Sequence, residues 1–154
     1  MSKGSVRLPP AVLVRSAAEG RAALEVAGPG GVLLLSAPGA AGFLGPGAWR
    51  ALVAAAGATS GVQDRGDAPN ALCCGDAAGD ALAGLRAGCR ILVLHGALPA
   101  FATVSGAAAE VGALLLPSRP PALDLRELDL RRPAARAKLA DWLARTHDTG
   151  AMLR

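Results

Sequence analysis

The chain has 154 residues, 52% hydrophobic and 18% charged, with 16 Lys and Arg against 12 Asp and Glu for a net charge of +4. That length and apolar content support one domain with a real core and exclude a chain disordered throughout. Aromatic residues supply 3%, with no tyrosine, so the core must come from Ala, Leu and Val, and the base-stacking side chains of a single-strand nucleic-acid binder are nearly missing.

Eight of the basic residues lie between Arg119 and Arg154, with five acids interspersed. Mixed signs describe a solvated helix face better than a nucleic-acid stripe, so nucleic acid is not an expected partner. Val26 to Trp49 carries no charge, but its seven glycines and three prolines would break a membrane-spanning helix, and a soluble chain is expected. The start, MSKGSVRLPP, does not read as a signal peptide. Three cysteines, Cys73, Cys74 and Cys89, leave one unpaired in any disulfide scheme. The expected compartment is the reducing cytoplasm.

In chain order, AVLVRS opens with a strand over Ala11–Arg15, and SAAE places Ser16 and Glu19 at capping-box spacing before a helix to Ala27. A strand over Val32–Ser36 and a helix over Pro46–Ala56 follow, with Pro46 suited to a first helical turn. Next come a strand over Ala71–Cys74, a helix over Ala77–Ala87 with Asp76 placed as its N-cap, and a strand over Ile91–His95. A helix over Pro99–Val111, a strand over Ala113–Leu116 and a last helix over Pro133–Ala144 complete the set. Gly28, Gly57, Gly88 and Gly112 each follow a helical pattern where a left-handed C-cap belongs. Between Leu116 and Pro133, PSRPPALDLRELDLRRP reads as a surface link, with LDLRELDL either a short edge strand or a turn of helix. The tail after His147 reads as frayed.

Strands alternating with helices, the strands being unbroken apolar runs, imply a parallel sheet buried on both faces. The expected fold is a single three-layer α/β domain with a mainly parallel sheet of about five strands, flavodoxin-like; the alternative is a partial (βα) barrel. Residues 1–118 form the body, and 119–154 a charged link and C-terminal helix packed on the same domain. The phrase LRAGCRILVLHG is shared by many α/β proteins, barrel enzymes included, and identifies no family.

In such folds ligands meet the carboxyl ends of the strands. That rule gathers Ser16, Ser36, the APGAAG turn, GDAAGD around Asp76, His95 with Gly96, and Arg119 at one rim. His95 is the expected acid–base group and Asp76 its partner or a substrate contact. Ser36, Gly39, Gly42, Gly75, Gly96 and Arg119 are the expected ligand-binding residues, the glycines admitting an anion to backbone N–H groups and Arg119 closing on it. Neither G-x-G-x-x-G nor G-x-x-x-x-G-K-[ST] is present, so no nucleotide motif names the ligand, and the cofactor is unknown. Cys73 and Cys74 point to opposite faces of a strand and no C-x-x-C is present, so no metal site is expected, and the thiols read as small buried hydrophobes. Ser36 and Ser105 lack a nucleophile elbow. Phe43 and Trp49 are expected to pack onto the body, and Trp142 to anchor the last helix. These residues imply binding of a small anionic or phosphorylated metabolite. The alternative is a non-catalytic, self-associating interaction module; a homo-oligomer, in the simplest case a dimer, fits either.

Overall fold

The computed structural model describes residues 7–58 and 68–145. The elements are β1 (Ala11–Leu13), α1 (Ala17–Ala27), β2 (Leu33–Leu35), α2 (Ala40–Phe43), α3 (Pro46–Gly57), β3 (Asn70–Cys73) and α4 (Ala78–Arg86). They continue with β4 (Ile91–Val93), α5 (Phe101–Glu110), β5 (Leu114–Leu116), β6 (Ala122–Asp124) and α6 (Pro133–Ala144). All neighbouring strands are parallel, in the order β5-β4-β3-β2-β1-β6. The α/β class and a single parallel sheet flanked by helices, flavodoxin-like in those respects, are as the sequence implies, with six strands where about five were expected. The sixth comes from the charged stretch: Ala122–Asp124 is an edge strand and Leu125–Glu127 a 3-10 turn.

Period-two alternation divides the core into two clusters. One strand face, with Val12, Val14, Val32, Leu34, Leu72, Leu92 and Leu94, packs under Ala23 of α1, Val53 and Ala56 of α3, Ala81 of α4, Val104 and Ala108 of α5 and Leu139 of α6. The other, with Ala11, Leu33, Leu35, Ala71, Cys73, Val93 and Leu116, joins Leu8, Ile91, Leu114 and Ala122 and includes no helix residue. Right-handed crossovers that step in one direction from β1 to β5 account for helices on one face.

Leu33, Leu35 and Ala71 are nonetheless fully buried. Curvature supplies the cover, and the chain length requires it. Residues 117–121 join β5 to β6, which lie at opposite edges of the sheet. A flat sheet would separate those edges by about 24 Å sideways, from five inter-strand spacings. The registers also set Leu116 four residues above Ala122, about 13 Å along the strands. Six peptide steps reach no more than about 22 Å. The sheet must therefore curl towards the face on which no described helix packs, which gives it the curvature of a partial barrel. Pro120 of the link is itself buried.

Local signals act largely as the sequence indicates. Ser16 Oγ accepts from Glu19 N (3.1 Å), and Glu19 Oε1 accepts from Arg15 N (2.7 Å), closing the start of α1. Gly28, Gly88 and Gly112 have positive φ after their helices, whereas Gly57 is the last helical residue of α3 and Ala58 is its cap. The helix C-termini, which fall towards the N-terminal ends of the strands, draw arginines from other elements. Arg21 Nη2 donates to Ala55 O (3.5 Å), Arg50 Nη1 to Ala87 O (2.6 Å) and Arg90 Nη1 to Val111 O (2.7 Å). Carbonyls without intrahelical partners thereby gain donors of favourable charge.

Trp49 is buried, with Nε1 donating to Asn70 Oδ1 (3.1 Å), and Trp142 Nε1 anchors α6 by donating to Ala11 O (2.8 Å). Phe43 departs from expectation at 73% exposure. The glycine-rich loop folds into the single turn of α2, which buries Ala40 and Ala41 and leaves Phe43 facing solvent.

Candidate functional site

The C-terminal ends of β2, β3, β4 and β5 are linked into a ring. Ser36 follows β2 and is 1% exposed; its Oγ accepts from Cys73 N (2.8 Å) and donates to Ala37 O (3.1 Å). The hydroxyl is thus spent on joining β2 to β3, and the group Ser36 offers the rim is its carbonyl. Gly39 and Gly75 stand side by side, at φ 67° and φ 60°, with Gly39 Cα 3.9 Å from where a Cβ on Gly75 would lie. Both turns need the left-handed conformation that glycine adopts without strain.

The ring continues through backbone bonds. His95 N donates to Gly75 O (2.9 Å), and Gly96 N to Pro117 O (2.9 Å). Gly96 could not be replaced there, because a Cβ would stand 2.7 Å from Pro117 Cβ. Arg119 closes the ring from β5 back to β2, with Nη1 donating to Ser36 O (3.0 Å). Six of the eight residues expected to form the site, Ser36, Gly39, Gly75, His95, Gly96 and Arg119, are therefore in one connected rim.

The other two stand beside it. Asp76 is exposed, and the N-cap of α4 is Ala77, without a side-chain capping bond, so Asp76 does not serve as the expected cap. Gly42 lies on α2, where a Cβ would come 3.3 Å from Asp80 Oδ2, and so belongs to the packing of α2 on α4. His95 is exposed, and its Nδ1 accepts from Ala97 N (3.2 Å). A backbone N–H can only donate, so the neutral ring carries its proton on Nε2, which makes that nitrogen a donor. Ser16 is taken up by the α1 cap, Ser105 lies on α5, and His147 is outside the described residues.

Two charged rim residues went unnoticed in the sequence. Arg15, two residues beyond Leu13 on the same side of β1, donates through Nη1 to Asp124 Oδ1 of β6 (2.6 Å). The hydrogen bond from Arg15 holds the Asp124 carboxyl below its usual range, with further help from Arg126 N–H, and the Arg15 guanidinium is raised in turn. A charge just past a strand end was the available signal. What was missing was knowledge that the stretch around Asp124 pairs with β1.

Cys74 and Cys89 are unsuited to attack. Burial, then the neighbouring Cys73, Asp80 and Cys89, pushes the Cys74 thiol up to about 12, and burial raises Cys89 against the pull of Arg50. Thiols kept protonated are poor nucleophiles and poor metal ligands. Among the described residues no three His, Cys, Asp or Glu side chains gather as a metal set, and no helix is long and apolar enough to cross a membrane. Comparison with protein-family models, with curated proteins and with solved structures finds no match, so no function is carried over from a relative.

Proposed function

We propose that the protein is a cytoplasmic binder of a small anionic or phosphorylated metabolite, held at the C-terminal rim of its sheet. The observation that carries this reading is the seat of Arg119: one hydrogen bond, Nη1 to Ser36 O, fixes the guanidinium across the rim. Guanidinium has five N–H donors in a planar fork, a match for carboxylate or phosphate oxygens. His95 adds its Nε2–H, the two left-handed glycines keep the backbone open to close approach, and Asp76 is the acceptor available to a ligand hydroxyl. These groups support binding.

Thermal unfolding against phosphorylated sugars, nucleotides, coenzyme A esters and carboxylic acids tests the proposal. A ligand at a hundred times its Kd stabilises the fold by about 2.7 kcal/mol, a visible shift in Tm. Arg119→Ala should abolish the shift in a protein that still folds, and Arg119→Lys should restore only part of it, since the fork is lost. No shift across the panel would leave the self-associating module as the better reading. That alternative is supported by Phe43 and Leu44, large apolar side chains exposed at 73% and 39% beside one another. Light scattering on the purified chain reads it directly.

A further inference from the structure

Ser36 is the one polar residue buried among the described residues, and it stands where β2 runs out. In a parallel ladder a residue donates to the residue before its partner and accepts from the residue after it. The register of β2 on β3, Leu34 with Asn70 and Leu35 with Ala71, sets Ser36 opposite Leu72. Its N–H duly donates to Ala71 O (3.1 Å), and its carbonyl would then accept from Cys73 N. Cys73 N donates to Ser36 Oγ instead (2.8 Å), and the hydroxyl gives its own proton to Ala37 O (3.1 Å).

The neighbouring strand ends keep their rungs on the backbone, with Val14 N donating to Leu35 O (3.0 Å), Cys74 N to Val93 O (2.8 Å) and Leu94 N to Leu116 O (3.0 Å). At Ser36 the side chain replaces its own carbonyl as the acceptor, and the displaced carbonyl accepts from Arg119 Nη1 (3.0 Å). The exchange explains two features at once. It accounts for a hydroxyl in a core that is otherwise apolar among the described residues, and for an inner strand that ends in a carbonyl open to a guanidinium.

We infer that Ser36 is the positioning residue of the rim: its hydroxyl holds Cys73 N and so frees the carbonyl that seats Arg119. The role rests on the metabolite-binding reading above for its purpose, but not for its geometry. Without the hydroxyl the buried Cys73 N–H needs another acceptor, since an unpaired one is costly, and the carbonyl of residue 36 is the one that the ladder supplies. Arg119 then loses its anchor, and a ligand must immobilise that side chain itself.

NMR of the ligand-free protein tests this directly. In the parent, the Arg119 guanidinium, assigned by its loss in Arg119→Lys, should give an Nη signal apart from those of solvated arginines. In Ser36→Ala that signal should merge with them while the Cys73 amide stays protected from exchange; Ser36→Thr, which keeps the hydroxyl, should behave as the parent. A purely structural serine would instead lower Tm and leave the Arg119 signal unmoved, which overturns the proposal, as does a parent with no distinct Arg119 signal. Should Ser36→Ala fail to fold, Ser36→Cys fills the same space with a weaker acceptor and is read in the same way. Inorganic phosphate then reads the consequence: its Kd should rise about three- to tenfold in Ser36→Ala, the cost of ordering one long side chain, and recover in Ser36→Thr. An unchanged Kd in Ser36→Ala overturns the positioning role. A parent that binds no phosphate, in which Ser36→Ala still releases Arg119, counts against an anion site at the rim and upholds the seat.

Discussion

The two ends of the sheet use the same residue type differently. At the N-terminal end, Arg21, Arg50 and Arg90 each finish a helix by donating to carbonyls at Ala55, Ala87 and Val111, and Trp49 donates to Asn70 at the start of β3. At the C-terminal end, Arg119 touches one carbonyl, His95 is exposed with only its Nδ1 accepting from Ala97 N, and Asp76 is exposed. Polar groups consumed by the backbone make scaffold; polar groups held in place but not consumed can still recognise something. The contrast follows from the winding. Helices in βα units run antiparallel to the strands, so their unsatisfied carbonyls gather at one end of the sheet and the loops that face ligands at the other.

Substitutions at the scaffold end should cost stability without touching binding, beginning with the largest. Trp49→Ala empties a fully buried site and strands Asn70 Oδ1, and should lower unfolding free energy by about 4 kcal/mol in a denaturant titration. A loss under about 1 kcal/mol would mean that this end is less tightly packed than its burial implies. The sharper comparison sets two arginines side by side. Arg50→Ala removes a charge-assisted bond from the end of α4 and should cost about 1 kcal/mol. Arg119→Ala should cost less than that while abolishing the ligand-induced shift. Equal stability losses with no ligand effect would make Arg119 one more scaffold arginine and erase the distinction.

Much of this division was legible in the sequence, and the reasons are local. Apolar runs such as GVLLLS and CRILVLHG mark strands because burial on both faces leaves no room for alternation. Ser16 with Glu19, Pro46 and Pro133 mark helix starts by short-range chemistry, and the helix Pro133–Ala144 has the bounds expected from its pattern. The rule that ligands meet strand ends then brought together residues 83 positions apart, Ser36 and Arg119, which the fold does join. Pairing across the whole chain was not legible. Nothing in ALDLRELDL says that it adds beside β1 and not beside β5, because its weak alternation fits either edge. Side-chain commitments were equally hidden: Ser36 looked available as a hydroxyl until its bonds to Cys73 and Ala37 were seen. Phe43 looked like core because aromatics usually are, yet a four-residue helix has too little surface to bury it.

The ion pair between Arg15 and Asp124 tests the contrast from the other side, since it is a charge pair at the C-terminal end that is already consumed. Its work is to hold β6 against β1, so it should behave as scaffold. The folded-state Asp124 carboxyl lies below its unfolded value, chiefly through the hydrogen bond from Arg15. A carboxylate of that kind contributes stability above the unfolded pKa, and the contribution disappears as pH falls through the lowered folded value. The window is therefore acidic, below about pH 4. Both side chains are about one-third exposed, and solvent screening limits the pair to about 0.5 kcal/mol. Asp124→Asn should accordingly be slightly less stable than the parent at pH 7, and the difference should shrink as the pH falls below about 4, as read by urea midpoints across that range. If the variant matches the parent at pH 7, β6 is held by its backbone pairing with β1 and by Trp142 and the buried Leu125 and Leu139, and the ion pair adds nothing to that corner of the scaffold.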